Sequence, residues 1–286
     1  MTPTPAGRLA GQGVVVTGAG RGIGRALALR AAAEGARVVV NDLDEEHAAA
    51  VAAEVGGVAV PGDAATDEGV RRVVAAATET LGAIDVYLAN AGIDTTPDAG
   101  TGLGDGLAEG APTSLDTPDA AWARMLEVNV MAHVRAARLL VPGWLERPEG
   151  PDGAPRGRFV VTASAAGLLT MLGSAPYSVT KHAAVGFAEW LSATYGARGV
   201  AVQAICPQGV RTAMLENSGP LAALLSRDSA LEPEQVADAW TVALDEGRFL
   251  VLPHPEVADY YRMRAQDTDA WLGGMQRLQA KLDRSV

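Results

Sequence analysis

The sequence is poor in the residues that build disulfide frameworks, metal centres and nucleic-acid surfaces. Among 286 residues there is one cysteine, Cys206, so no internal disulfide can form and nothing points to an oxidising compartment. The histidines, His47, His133, His182 and His254, never approach the paired spacing of a zinc site, and no cysteine cluster joins them, so no metal is expected. Positive charge is in deficit: 23 Lys and Arg against 34 Asp and Glu leave a formal net charge of −11. Such a field repels phosphate backbones and anionic lipid surfaces, so neither nucleic acid nor a membrane is an expected partner. No apolar run approaches the ~18 residues of a membrane span. The N-terminal residues lack the basic start, apolar core and cleavage site of a secretory signal. The expected location is therefore cytoplasmic. Aromatics make up only 5% of the chain, while alanine clusters at 31–33, 48–50 and 75–77 favour helices that pack closely on a sheet.

What is present, at 48% hydrophobic and 20% charged, suffices for a full core. Short β-branched runs at 14–16, 38–40, 58–60, 86–89, 159–161, 200–205 and 249–252 alternate with helix-permissive stretches at 22–34, 44–55, 67–81, 118–145, 175–197 and 232–246. Strands that are apolar throughout, joined by helix-length connections, belong in a parallel sheet covered on both faces. The expected fold is α/β: one doubly wound domain with a seven-stranded parallel sheet and helices on both faces. Its expected bounds are 9–254, after a flexible N-terminus at 1–8 and before a helical C-terminal extension at 255–286. Three stretches interrupt the pattern. Residues 94–117 carry five glycines and two prolines and read as a functional rim or a mobile loop. Residues 147–158 read as a solvated surface loop. Residues 212–230, with Met214 and Leu215 on a breakable segment, read as a lid.

The first strand runs into Thr17-Gly18-Ala19-Gly20-Arg21-Gly22-Ile23-Gly24 and then directly into a helix. The glycines fit G-x-x-x-G-x-G. Such a turn lets backbone approach a pyrophosphate, while the helix N-terminus offers unpaired N–H groups and a positive dipole. The second strand ends at Asn41-Asp42. A carboxylate there accepts hydrogen bonds from ribose hydroxyls and repels a 2′-phosphate, so Asp42 favours NAD over NADP, with Arg21 pulling the other way. Asp63 and Ala64, after the third strand, are candidates to meet the adenine. Ser164 follows the fifth strand, and Tyr177 and Lys181 stand four apart at a helix start, on one face. A free tyrosine titrates at about 10, and a neighbouring ammonium is expected to lower that value toward a usable base.

In this order and spacing the motifs resemble the short-chain dehydrogenase/reductase family of the compact type, over about residues 9–252. Residues 17–24 match its cofactor loop and Asn90-Ala91-Gly92 its N-A-G turn. Asn129, Ser164, Tyr177 and Lys181 match its catalytic tetrad, with thirteen residues from Ser164 to Tyr177. Pro207-Gln208-Gly209-Val210-Arg211-Thr212 matches its P-G-x-V-x-T, except that Gln208 replaces a glycine. The interval from Asn129 to Ser164 is longer than usual, the loop at 147–158 accounting for the excess.

The resemblance implies a single Rossmann-like domain and nicotinamide-dependent hydride transfer between a secondary alcohol and a ketone. Tyr177 would be the acid/base, Ser164 the ligand of the substrate oxygen, Lys181 the partner of Tyr177 and the ribose, and Asn129 the holder of a water. NAD would be held by Gly18, Arg21, Gly22, Ile23, Gly24, Asp42, Asp63, Ala64, Asn90, Ala91 and Gly92, with Tyr177, Lys181, Pro207, Gly209, Val210 and Thr212 toward the nicotinamide. Ala166, Leu172, Gln208, Met214 and Leu215 are the substrate candidates and point to an apolar small molecule. An NADPH-dependent carbonyl reductase and a non-catalytic NAD-binding sensor or scaffold are the alternatives. A homodimer or homotetramer is expected on the helices at 118–145 and 175–197, with Ala183, Ala184 and Gly186 allowing close approach. The large apolar residues at helical spacing in 255–284 are expected to cover the substrate cleft or a neighbour.

Overall fold

The computed structural model describes residues 7–94, 115, 117–148, 150, 153–216 and 230–284. Strands β1 (Gly13–Thr17), β2 (Arg37–Asn41), β3 (Val58–Ala59), β4 (Val86–Ala89), β5 (Gly157–Thr162), β6 (Val200–Ile205) and β7 (Leu250–Val251) form one parallel sheet ordered β3-β2-β1-β4-β5-β6-β7. The helices are α1 (Gly22–Ala33), α2 (Glu45–Val55), α3 (Asp67–Leu81), α4 (Asp119–Leu126), α5 (Ala132–Glu146), α6 (Ala166–Leu169), α7 (Ala175–Tyr195), α8 (Ala213–Glu216), α9 (Pro233–Glu246), α10 (Glu256–Gln266) and α11 (Thr268–Leu282). Every residue of β1 and β4 is buried. Successive side chains leave a strand on opposite faces, so Val14 and Val16 join one core with α1, α2 and α9, while Val15 joins the other with α3, α5 and α7.

Packing explains several residues that composition leaves unmarked. Trp144 of α5 donates its indole N–H to the Ile84 carbonyl at 2.8 Å and stands edge-on to Phe159. A Cβ at Gly157 would lie 2.2 Å from the Trp144 ring, so glycine is required at the start of β5. Buried Gln203 of β6 donates to the carbonyls of Ala243 and Arg248 and accepts from Trp240, tying α9 to the sheet.

The doubly wound seven-stranded fold is as the sequence predicts, with local differences. The helix expected over 118–145 is interrupted by a π-turn at Glu127–Met131 that carries Asn129. β3 and β7 each hold two residues, shorter than the apolar runs that announce them, because pairing stops where the sheet edge ends. The loop at 147–158 is tied down at both ends: Arg147 reaches Asp85 and the Ile84 carbonyl, and Arg156 reaches the carbonyls of Leu145 and Arg147. Of the N-terminal stretch expected to be flexible, residues 1–6 lie outside the described residues. Arg8 is held by Glu34 and Asp245. Residues 95–114 of the glycine-rich stretch and 217–229 of the expected lid also lie outside them. Among the described residues no helix is long and apolar enough to cross a membrane, and no group of three or more potential metal ligands forms.

His133 of α5 makes the fold sensitive to acid. It is 2% exposed, and its Nε2 has no hydrogen-bond partner among the described residues. Burial, reinforced by Lys181, holds its pKa down to about 3. Between an unfolded value of about 6.5 and the folded one, the unfolded chain binds the extra proton, so stability is lost as pH falls through that window. His133→Leu is therefore expected to lose less of its melting temperature than the native chain between pH 6.5 and 4, followed by circular dichroism. Parallel pH profiles would contradict this.

Candidate active site

The cradle begins where β1 ends. Gly18 has φ of +60°, and a Cβ on it would lie 2.8 Å from the Ala91 Cα. At Gly24 a Cβ would lie 2.1 Å from the Gly18 carbonyl oxygen. The loop therefore closes directly onto the helix behind it. No side chain caps the N-terminus of α1 and no acid stands in its first turn, which leaves its N–H groups and positive dipole end for an anion. The loop is joined to the N-A-G turn after β4. Thr17 Oγ1 accepts from the N–H groups of Asn90 and Ala91, each at 3.1 Å, and donates to the Leu88 carbonyl. The Asn90 amide returns two bonds, to the carbonyls of Thr17 and Gly18. Asn90 is thus bound to the loop itself.

At the end of β2, Asp42 accepts from Gly20 N–H at 2.8 Å and from Asp44 N–H at 3.1 Å. A Cβ at Gly20 would come within 2.7 Å of the His47 Cβ and 2.9 Å of that carboxylate, so glycine there admits both Asp42 and α2. Asn41, buried beside it, donates to the carbonyls of Val60 and Gly62 and fixes the turn bearing Asp63 and Ala64. Asp63 accepts from Ala65 N–H and pairs with Arg124.

Ser164 follows β5, its hydroxyl accepting from Ala166 N–H at 3.1 Å and donating to the Pro207 carbonyl at 3.4 Å, and it lines the same cavity as the Tyr177 phenol, whose pKa it lowers. α7 is capped by Ser174, whose hydroxyl accepts from Tyr177 N–H and donates to buried Asp94 at 3.2 Å. One turn on, Lys181 donates to the Thr162 carbonyl at 3.0 Å and lies 5.5 Å from the centre of the Tyr177 ring. Burial pulls its pKa down to about 8. Tyr177 departs from the expected direction. Burial and then the Asp94 charge hold it above its ordinary value, against the opposing bond from Ser164. The lysine lies over the ring rather than beside the oxygen and is itself desolvated, so in the free protein its pull does not prevail. Asn129 stands behind this group, fully buried. Its amide exchanges a bond each way with the Ile93 backbone at 2.9 Å and donates to Thr180, so it clamps the N-A-G turn.

The segment after β6 completes the wall. Gln208 donates its backbone N–H to His254 Nδ1 at 3.1 Å, Val210 bridges to Leu231, and Thr212 lies against Gly22. One cavity of about 1130 Å³ joins all these elements. Every site residue expected from the sequence lines it except Asn129, including Ile23, Pro207, Gly209, Ala166, Leu172, Met214 and Leu215. Its far end is roofed by α10 and α11 through Tyr260, Met263, Trp271, Met275 and Leu278 of the same chain. The apolar spacing of that tail leaves open whether it covers the cleft or a neighbour. Asp94, at the edge of a glycine-rich stretch, and His254, a lone histidine past the last strand, carry no such signal in the sequence.

The model of the family described as short chain dehydrogenase matches residues 12–221. The chain is 35% identical over 263 residues to 1-deoxy-11-beta-hydroxypentalenate dehydrogenase of Streptomyces exfoliatus, covering 90% of this chain and 87% of that one. It is 34% identical over 227 residues to 2,5-dichloro-2,5-cyclohexadiene-1,4-diol dehydrogenase of Sphingobium indicum, covering 79% and 80%. Among solved structures, a short chain dehydrogenase/reductase from Burkholderia phymatum in complex with NAD superposes with a TM-score of 0.76 at 25% identity, covering 92% of this chain and 95% of that one. A short chain dehydrogenase from Burkholderia cenocepacia in complex with NADP gives 0.70 at 26%, covering 86% and 96%.

Two glycines separate packing necessity from chance. Gly143 of α5 has open space where a Cβ would go, so Gly143→Ala is expected to stabilise the chain by roughly 0.5–1 kcal/mol. Gly24→Ala forces the loop apart and is expected to cost about 1–3 kcal/mol. Urea unfolding of both variants checks the pair, and equal effects would contradict the cradle described above.

Proposed function

The chain belongs to the short chain dehydrogenase family, and on that premise we propose that it is an NAD-dependent oxidoreductase interconverting a secondary alcohol and a ketone. The reading is carried by one observation. Ser164, Tyr177 and Lys181 meet in the cavity between a glycine cradle at one end and an apolar roof at the other. The residues present fit a nicotinamide dinucleotide. Gly18, Gly20 and Gly24 leave no room for side chains, and a Cβ at Gly92 would crowd Lys181 Nζ and Asn129 Oδ1. The loop and the α1 N-terminus would hold the pyrophosphate, and Asp42 the adenosine ribose. Solved relatives carry NAD or NADP. Asp42, preset by Gly20 and Asp44, supports NAD, because an adenosine 2′-phosphate would bring its charge against this carboxylate.

The bound cofactor supplies the hydride acceptor in oxidation and the donor in reduction. Ser164 orients the substrate oxygen, and the Tyr177 phenolate oxygen takes its proton, returning it in the opposite direction. Lys181 adds a positive field over the tyrosine ring, and the ribose hydroxyls would lie within reach of its ammonium. Asn129 keeps the N-A-G turn in register, and its remaining acceptor capacity would hold the water. Leu172, Met214 and Leu215, with the tail residues, support an apolar substrate body.

We place a homodimer or homotetramer contact on α4 and α7. Leu126, Val179 and Trp190 there are 39%, 50% and 55% exposed, large apolar groups that water would otherwise meet. On α7 Gly186 is exposed and Ala183 half-buried. Ala184, expected at that contact, is buried in the chain's own core because its Cβ faces the sheet. A cytoplasmic location is part of the proposal, supported by a single cysteine, Cys206, that is buried and free.

Tyr177→Phe is expected to lower turnover of secondary alcohols more than a thousandfold while NADH binding, read by fluorescence, stays within a few-fold. Turnover within tenfold of native would remove Tyr177 as the acid/base. For the native chain the oxidation rate is expected to rise with pH through the alkaline range, since the phenol must lose a proton held above its ordinary value, and the reduction rate to fall there.

Trp190→Glu is expected to lower the mass found by light scattering while circular dichroism keeps the native spectrum. An unchanged mass would move the contact elsewhere.

A further inference from the structure

The methionines are unevenly placed. The chain has seven, and Met171, Met214, Met263 and Met275 all line the cavity, from the turn before α7 and from α8, α10 and α11. Separate segments thus bring one side-chain type to one wall. None of these four is buried, whereas Met125, in the core, is 0% exposed. The backbone that carries them is pinned. The Ser178 hydroxyl, one residue after Tyr177, accepts from Met171 N–H at 2.8 Å and donates to the Met171 carbonyl at 3.0 Å. Arg264, beside Met263, donates to the Leu168 carbonyl of α6 and to His182 Nε2 of α7, which ties α10 to the elements around the reactive cluster. Tyr260 of α10 packs on Trp271 of α11 with ring centres 6.4 Å apart, so the helix bearing Met275 is held as well. What stays free to rearrange is the methionine side chains, each with three rotatable bonds and a polarizable sulfur. Isoleucine would give a wall of similar apolarity with a stiffer outline.

We propose that these methionines make the substrate end of the cavity a pocket that reshapes itself, so that the chain acts on bulky cyclic apolar alcohols and ketones of differing outline. The inference rests on the alcohol–ketone reading above and deepens it. The occupant is a small molecule that reaches Tyr177, because the methionines line one continuous cavity with Ser164, Tyr177 and Lys181. It is bulky, because a short alcohol held at Tyr177 would leave the roof of Met263, Trp271, Met275 and Leu278 uncovered, and burial of apolar area is what such a wall offers. It is cyclic, because a ring covers that wall with less loss of rotamer freedom than an open chain. Thioether side chains re-pack around different bodies, which is how methionine-rich surfaces accept many partners.

The test measures oxidation of 2-propanol, menthol, borneol and 1-tetralol, each as the racemate, by the full chain with NAD. Native protein is expected to favour the three cyclic alcohols over 2-propanol in kcat/KM by about tenfold or more, and to keep them within about tenfold of one another. Met263→Ile and Met275→Ile, singly and together, hold the volume but stiffen the first side-chain torsion. They are expected to widen the spread among the cyclic alcohols several-fold. Circular dichroism checks the fold, and if the double variant unfolds the single variants decide. NMR of methyl-labelled methionine, with NADH present because it cannot accept a hydride, reads contact without turnover. The Met263 and Met275 signals, each assigned by its loss in the isoleucine variant, are expected to shift with every cyclic alcohol. A preference for 2-propanol, a native spread beyond that range, a spread unchanged in the variants, or signals that stay in place would each overturn the proposal. If no alcohol turns over yet both signals shift with the cyclic alcohols, the reaction reading fails and the pocket stands.

Discussion

A threonine hydroxyl between two strand ends holds the active site together. In the order β3-β2-β1-β4-β5-β6-β7, the chain leaves β1 toward one face of the sheet and β4 toward the other, which opens a crevice at their carboxyl ends. Thr17 Oγ1 spans that divergence by accepting from Asn90 and Ala91, and Asn90 answers by donating to the carbonyls of Thr17 and Gly18. Each bond is worth about 1 kcal/mol net, but all of them close a gap between residues distant in the chain. The glycine loop is thereby fixed against the N-A-G turn, that turn against Asn129, and Asn129 against Thr180 beside Lys181. The cradle and the reactive cluster are one connected body.

The cavity divides by chemistry along its length. At the β2 end, backbone N–H groups and carboxylates dominate, and their geometry is set by missing side chains. At the other end the walls are aliphatic and aromatic, roofed by α10 and α11. Ser164, Tyr177 and Lys181 lie at the seam, and burial there drives both titrating groups toward neutrality, lowering the lysine and raising the tyrosine.

Much of this was legible in the sequence, for identifiable reasons. Strands buried on both faces appear as unbroken valine runs such as Val38-Val39-Val40, and the helix-length intervals between them dictate parallel pairing. The loop glycines were legible because each answers a steric demand. The direction of the tyrosine shift was not, since pairing Tyr177 with Lys181 at helical spacing counts their mutual attraction and omits desolvation, which depends on walls contributed by distant segments. Asp94 escaped because its bond to Ser174 joins residues eighty apart in the chain. The tail's apolar spacing showed that it must cover something, and only the folded chain shows the surface. His254 offered no signal, since its partner is a backbone N–H.

The most direct test of the account is the affinity of the native chain for the two reduced nicotinamide dinucleotides, measured by fluorescence titration at one ionic strength. A crevice built on Gly18, Gly24 and a preset Asp42 carboxylate predicts saturable binding of NADH, with Kd about tenfold or more below that for NADPH. Equal affinities, or the absence of binding to either, would contradict it.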